Sequence, residues 1–268
     1  MSSEVNFWLT MNPNLRSNLR RIPYARVFAA KLRKVRSSVA GEMHGQKIRF
    51  SEDGLSTIHN CDFLEDARFK KALAAAEATG SWQGWPMRWR AYIICWAAER
   101  AMNLEGDFVE CGVNRGGFAR MILDYVDFEG SGKKFFLFDT FKGFSPTHLT
   151  AGEKSSEYYS YPDCLEDVRK TFASFRSVDI IPGTVPETLS TREIGRVAFL
   201  SIDMNCVMPE IAAANHFWGK LVSGAVVLLD DYGFTEHIEQ KHAFDLFAKE
   251  RGVSVLTLPT GQGLMIKP

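Results

Sequence analysis

From about residue 105 onward, short apolar strands alternate with helices, and no other feature of the 268-residue chain restricts its fold as much. Strands are expected at 107–111, 134–138, 178–181, 196–202 and 225–229, and helices at 116–125, 164–175, 209–221 and 238–251. The strands are continuous apolar runs, as expected where both faces of a sheet are covered. Strand–helix alternation of this kind builds a parallel sheet with helices on either side. The alternation breaks at the end, where strands at 253–258 and 263–267 flank Pro259, Thr260, Gly261 and Gln262, a hairpin-like linker. Before residue 105 helices dominate, at 67–79 and 89–104, with Trp82, Trp85 and Trp89 gathered around Gly84 and Pro86. The expected division is a basic arm and helical cap at 1–104 and an α/β domain at 105–268. The tryptophans read as core packing under that cap, with a stacking surface for a sugar or aromatic ring as the alternative.

Several function classes drop out. Hydrophobic residues make up 46% and charged residues 24%, enough apolar surface to offset the ordering entropy that keeps disordered chains unfolded. The longest apolar runs, such as 225–229, fall far short of the roughly 20 residues a membrane helix needs. The first ten residues lack the charged start and apolar stretch of a secretion signal. The cysteines at 61, 95, 111, 164 and 206 show no Cys-x-x-Cys spacing, so neither a disulfide framework nor a zinc site is indicated and a reducing cytoplasm is expected. Lys plus Arg and Asp plus Glu both total 32. That balance gives no reason to expect nucleic acid or a membrane as partner. It hides an asymmetry, because residues 1–40 hold eight basic residues and one acid, a net of +7, and the rest carries −7. The arm reads as a solvated helix face that packs on its own body or on a second subunit, so a homo-oligomer is expected.

The first strand of the alternating part runs into Glu110-x-Gly112-x-x-x-Gly116 and then a helix. Small residues let the backbone turn sharply and let a ligand approach it, and helix N-terminal amides favour the negative end of a ligand. The next strand ends in Asp139, followed by Thr140, Phe141, Lys142 and Gly143. A carboxylate there can accept both ribose hydroxyl hydrogens of an adenosine ligand. Strands four and five end in Asp203 and in Asp230-Asp231, which parallel pairing brings to the same sheet edge. Three carboxylates so close repel one another unless a cation or protons intervene, and hard oxygen ligands suit Mg2+.

A five-strand parallel half closed by an antiparallel hairpin resembles the layout of class I S-adenosylmethionine (SAM) methyltransferases, here a Rossmann-like, mostly parallel seven-stranded sheet. The runs Gly-Asp-Phe-Val-Glu-Cys-Gly-Val-Asn-Arg-Gly-Gly, Leu-Phe-Asp-Thr-Phe-Lys-Gly-Phe, Gly183-Thr-Val-Pro-Glu-Thr-Leu189, Ile202-Asp203 and Leu229-Asp230-Asp231-Tyr232-Gly233 resemble the macrocin O-methyltransferase family over roughly residues 85–268. That resemblance implies methyl transfer from SAM to a hydroxyl of a small molecule, a secondary metabolite or sugar. It implies SAM contacts at Glu110, Gly112, Asn114, Gly116, Asp139, Thr140, Phe141 and Asp203, with Gly183, Thr184 and Val185 near the adenine. Arg88 or Arg90 is expected either to reach the SAM carboxylate or to be a structural or surface arginine. The resemblance also implies a divalent metal held by Asp203, Asp230 and Asp231.

One departure stands out. Family members commonly read Ile-Asp-Ala-Asp-Leu-Tyr on strand four, with the second Asp as proposed base, and this chain reads Ile202-Asp203-Met204-Asn205-Cys206-Val207. An amide cannot act as a carboxylate base. His59, His237 and His242 become candidates because imidazole titrates near neutral pH, and His237 is favoured by its place after the strand-five acids. Catalytic roles therefore fall to Asp203 and His237. Asn205 also motivates two alternatives, a metal-independent N- or O-methyltransferase and a non-catalytic SAM-binding partner protein.

Overall fold

The computed structural model describes residues 41–43, 45–150, 153 and 161–268. The basic arm expected at 1–40 lies outside them. The chain divides into two compact units. Of the described residues, the first holds those between 41 and 61 and Trp82–Pro86. Its described part holds two short antiparallel hairpins, β1 (Glu42–Met43) with β2 (Gln46–Lys47) and β3 (Phe50–Glu52) with β4 (Leu55–Thr57). Within this unit the Trp85 indole N–H donates to Asp53 Oδ1 at 2.6 Å.

The second unit comprises Asp62–Ser81 and Met87–Pro268. It opens with α1 (Ala67–Ala78) and α2 (Arg88–Met102). It continues through β5 (Asp107–Cys111), α3 (Gly117–Tyr125), β6 (Phe135–Asp139), α4 (Leu165–Phe172) and β7 (Val178–Pro182). Then come β8 (Val197–Ile202), α5 (Val207–Trp218), β9 (Leu221–Leu229), α6 (Ile238–Glu250), β10 (Leu256–Thr257) and β11 (Gly263–Ile266). One seven-stranded sheet runs in the order β10-β11-β9-β8-β5-β6-β7. Pairings from β7 through β9 are parallel, and β11 joins β9 antiparallel, with β10 antiparallel on β11. The chain builds β5, β6 and β7 outward in one direction and then returns to place β8 and β9 on the other side of β5. The carboxyl ends of β5 and β8 therefore flank a switch point, where an open α/β sheet leaves a crevice for ligands.

The burial pattern explains the continuous apolar strands. Every residue of β8 is buried, and the buried Phe108 ring meets Phe135 edge-on at 5.8 Å and Phe199 at a tilt at 5.1 Å. The Asp66 carboxylate caps α1 by accepting from the Phe69 amide at 2.7 Å. Helix α1 buries Phe69, Ala72 and Ala76, on the face it presents to α3. Helix α2 buries Arg90, Ile94, Ala97 and Ala101, one stripe at helical spacing, and packs on β8, β9 and α3. Both helices, assigned from sequence to the N-terminal cap, thus share a compact unit with the sheet. In that unit the Trp89 ring meets Phe63 edge-on at 5.0 Å.

The sheet differs from expectation at two edges. Strand β9 starts at Leu221, four residues early, and α5 stops at Trp218, because the Lys220 amide closes a turn onto the Phe217 carbonyl and the chain reverses there. Apolar periodicity could not place that break, since Leu221 and Val222 suit either element. Strand β10 covers only two residues of the expected 253–258. Among the described residues no helix is long and apolar enough to cross a membrane. All five cysteines are buried, and none forms a disulfide among the described residues.

Candidate active site

The glycine-rich turn after β5 is held by internal acceptors. The Asp139 carboxylate at the end of β6 accepts from the amides of Val113 (2.6 Å) and Asn114 (2.7 Å) through Oδ2, and from Phe141 (2.7 Å) through Oδ1. The Ser81 hydroxyl accepts from the Gly117 amide at 2.8 Å and so caps the start of α3. The Gly112 amide donates to the Phe138 carbonyl and the Gly116 amide to Val113, both at 2.8 Å. The amides of Gly112, Val113, Asn114, Gly116 and Gly117 are therefore spent on the fold. A carboxylate offers about four lone-pair sites, and Asp139 uses three on amides before any ribose arrives.

Nine of the eleven expected cofactor residues line one cavity of about 140 Å³: Gly112, Asn114, Asp139, Thr140, Phe141, Gly183, Thr184, Val185 and Asp203. Glu110 and Gly116 do not line it. Gly116 is spent on packing, since a Cβ there would lie 2.5 Å from the Phe172 ring. Glu110 is buried, and its Oε2 has no hydrogen-bond partner among the described residues. Burial first, then the Asp139 and Asp230 charges, pushes its carboxyl well above the ordinary range. Sequence reasoning missed several lining residues, among them His148, Tyr161, Met204 and Pro209. His148 pairs with Glu187 at 3.0 Å.

The strand-end acids take different roles. Asp230 is buried, and both its oxygens are engaged: Oδ2 by Arg90 Nη1 at 2.6 Å and Oδ1 by Gln262 Nε2 at 3.0 Å. Arg90, expected to reach a ligand or to be structural, is thus the structural partner of a strand-end acid. Asp203 Oδ1 accepts from Asn205 Nδ2 at 3.0 Å, with Asn205 in the left-handed region at φ 55°. Burial, then the Asp230 and Asp231 charges, raises Asp203 well above its ordinary value, and Arg90 opposes the rise. His237 Nδ1 faces Gln240 Oε1 at 2.9 Å, and its Nε2 lies 3.9 Å from Asp231 Oδ2. His242 is exposed on α6, and His59 sits in the other compact unit.

Mg2+ at Asp203, Asp230 and Asp231 does not fit these residues. Among the described residues no three His, Cys, Asp or Glu side chains are placed to hold a metal ion. The physical reason is the donor set: a guanidinium and two amides already donate to oxygens of Asp230 and Asp203 that a hard cation needs bare.

Glu210, at the start of α5, was not singled out from sequence. It is buried, and its Oε1 accepts from the Met204 amide at 3.0 Å, so it braces the turn that carries Asp203 and Asn205. Burial, then the Asp231 charge, pushes it from its ordinary 4.5 up to about 8. The folded chain thus binds more protons than the unfolded one between those values, and stability from this group is lost as pH rises through that window. Asp203 and Glu110 shift in the same direction. Glu210→Gln is expected to flatten the fall in urea stability between about pH 5 and pH 8 by about 1–3 kcal/mol. Equal slopes for both proteins would show that this carboxyl does not hold its proton in the fold.

A seven-stranded sheet of this order and direction, with its cavity at the β5–β8 switch point, defines the class I SAM-dependent methyltransferase fold. The family described as Macrocin-O-methyltransferase (TylF) matches residues 88–256, and the chain belongs to that family. It is 27% identical over 157 residues to the mycinamicin III 3''-O-methyltransferase of Micromonospora griseorubida, covering 53% of this chain and 61% of that protein's length. Among solved structures it resembles the O-methyltransferase NovP, with a TM-score of 0.58, 22% identity and coverage of 72% of this chain and 88% of that one. It also resembles the S-adenosylhomocysteine (SAH)-bound Podospora anserina methyltransferase PaMTH1, at TM-score 0.53, 16% identity and coverage of 80% and 100%.

Proposed function

We propose that the chain is a SAM-dependent O-methyltransferase acting on a hydroxyl of a small molecule, a sugar or another secondary metabolite. The observation that carries this reading is the single cavity that gathers the turn after β5, Asp139 after β6, Gly183 after β7 and Asp203 after β8. Family membership and the O-methyltransferase relatives support it. The nine cavity-lining residues would hold SAM, which supplies a methyl group activated by a sulfonium. Glu110 Oε2, buried and without a hydrogen-bond partner among the described residues, is a polar atom the fold itself leaves unsatisfied and a ligand donor would satisfy.

The protein's own part is positioning and proton handling. Asp139 holds the turn in shape, and Asp203 at the cavity wall orients the acceptor. His237 is the proposed base; it lies outside the cavity lining, with Nδ1 2.9 Å from Gln240 Oε1 and Nε2 3.9 Å from Asp231 Oδ2. No step passes through Mg2+, because the strand-end acids do not fit it. A homo-oligomer and a cytoplasmic location complete the proposal.

Calorimetry with SAH tests the reading. Asp139→Ala is expected to weaken SAH about ten-fold or more, because three loop amides lose their acceptor. Equal affinity would remove Asp139 from the site. Labelled methyl transfer from SAM to a panel of sugars and phenols then separates enzyme from binder. Tight SAH binding with no transfer to any acceptor would favour a non-catalytic partner protein, the alternative that Asn205 motivates.

A further inference from the structure

The acidic edge formed by Asp203, Asp230 and Asp231 raises a question of charge balance that sequence alone left to a metal or to protons. The structure contains a third solution. Arg90 is the third residue of α2 and lies on the buried stripe with Ile94, Ala97 and Ala101. An arginine on such a stripe is paired or it is not there, since an isolated buried guanidinium is too costly to desolvate. Its partner is Asp230 Oδ2 at 2.6 Å, and the two side chains are 8% and 6% exposed.

The rest of the arrangement keeps that pair in place. The fully buried Gln262 donates to Asp230 Oδ1. The Thr260 hydroxyl donates to Gln262 Oε1 at 3.1 Å, which fixes the amide with its nitrogen toward Asp230. On the neighbouring strand end, Asn205 Nδ2 donates to Asp203 Oδ1. The contacts to Asp230 and Asp203 each present an N–H donor, from Arg90 with a full positive charge, to a carboxylate oxygen. A divalent cation needs those lone pairs unprotonated and uncrowded, and would sit beside a fixed guanidinium of like sign.

We propose that Arg90 is the resident cation of this strand edge, held by Asp230, whose other oxygen Gln262 engages, and that the edge neither binds nor needs a divalent metal. Arg90 acts here as a positioning residue: it holds Asp230 and offsets the charge beside Asp203. The charge geometry of the sheet edge is the same whether or not methyl transfer is the activity.

The test is a Mn2+ titration of the full, EDTA-treated chain, followed by the electron paramagnetic resonance signal of free Mn2+. Wild type is expected to leave the signal unchanged, or to reduce it equally with Asp203→Asn, which would place any bound ion elsewhere. Mn2+ bound by wild type and lost in Asp203→Asn overturns the proposal. Arg90→Gln removes the guanidinium and keeps an amide of similar reach. It is expected to gain Mn2+ affinity at this edge by about ten-fold or more. No gain, in a variant whose circular dichroism and SAH affinity match wild type, also overturns the proposal. Should Arg90→Gln fail to fold, the wild-type and Asp203→Asn titrations still decide. Where transfer is measured, EDTA is expected to leave it unchanged, and a fall of about ten-fold restored by Mg2+ counts against the proposal.

Discussion

Gly112→Ala is expected to cost more than about 4 kcal/mol of stability, enough to leave little folded protein. The reason is a backbone collision. A Cβ at Gly112 would lie 1.8 Å from the Asp203 carbonyl oxygen and 2.4 Å from its carbon. Both strand ends are fixed, since the Asp203 amide donates to the Cys111 carbonyl at 2.8 Å and the Gly112 amide to Phe138. To admit one methyl, β5 and β8 must separate at the switch point itself. Gly112 also sits at φ 90°, where an alanine is strained by about 1–3 kcal/mol before any contact is considered. Gly116→Ala makes the useful contrast: its φ is 85°, but its Cβ meets only the edge of the Phe172 ring, which can move. Urea midpoints by circular dichroism should place Gly116→Ala well above Gly112→Ala. A Gly112→Ala protein within about 1 kcal/mol of wild type would mean that the two strand ends do not approach as described.

Asp230→Leu is expected to destabilise by about 3–5 kcal/mol, because it removes the carboxylate that pairs with the buried Arg90 guanidinium at 2.6 Å and leaves the cation behind. The double variant Arg90→Met with Asp230→Leu is expected to recover most of that loss. Apolar replacement of a buried ion pair is often neutral, so the cost comes from removing one partner alone and not from the pair's net attraction. Non-additivity of about 2 kcal/mol or more between the single and double variants, read from urea midpoints, is the signature. Additive losses would show that Arg90 and Asp230 do not form a buried pair. Asp230→Asn should fall between these, since the amide keeps a hydrogen-bond acceptor for Arg90 and loses the charge.

Much of the ligand edge was legible as a set of positions. Acids and glycines at the ends of apolar strands announce themselves, because strand ends of one parallel sheet share an edge. What those residues touch was harder to read. Asp139 stands where a ribose ligand was expected, yet its first partners are amides 25 and 26 residues away in the same chain. Arg90 carried a signal in sequence, a charge on an otherwise apolar helical stripe, but its partner lies 140 residues further on. Gln262 carried none: one polar residue in a Gly- and Pro-marked linker looks like any turn until β11 folds back beside β9. Ser81 is a similar case, because a helix start capped from a distant segment leaves no local motif.

Local order set the element types and the parallel direction of the sheet, because apolar continuity, strand–helix alternation and glycine at the turns are properties of neighbouring residues. They were enough to place the carboxylates on one edge. Whether those carboxylates hold a metal, a proton or an arginine depends on which distant side chains arrive beside them, and at what distance. Coulomb energy and desolvation change steeply over a few ångströms, and no spacing along the chain encodes such a distance. The packing of α2 against β8 and β9 settled it, by bringing Arg90 to Asp230.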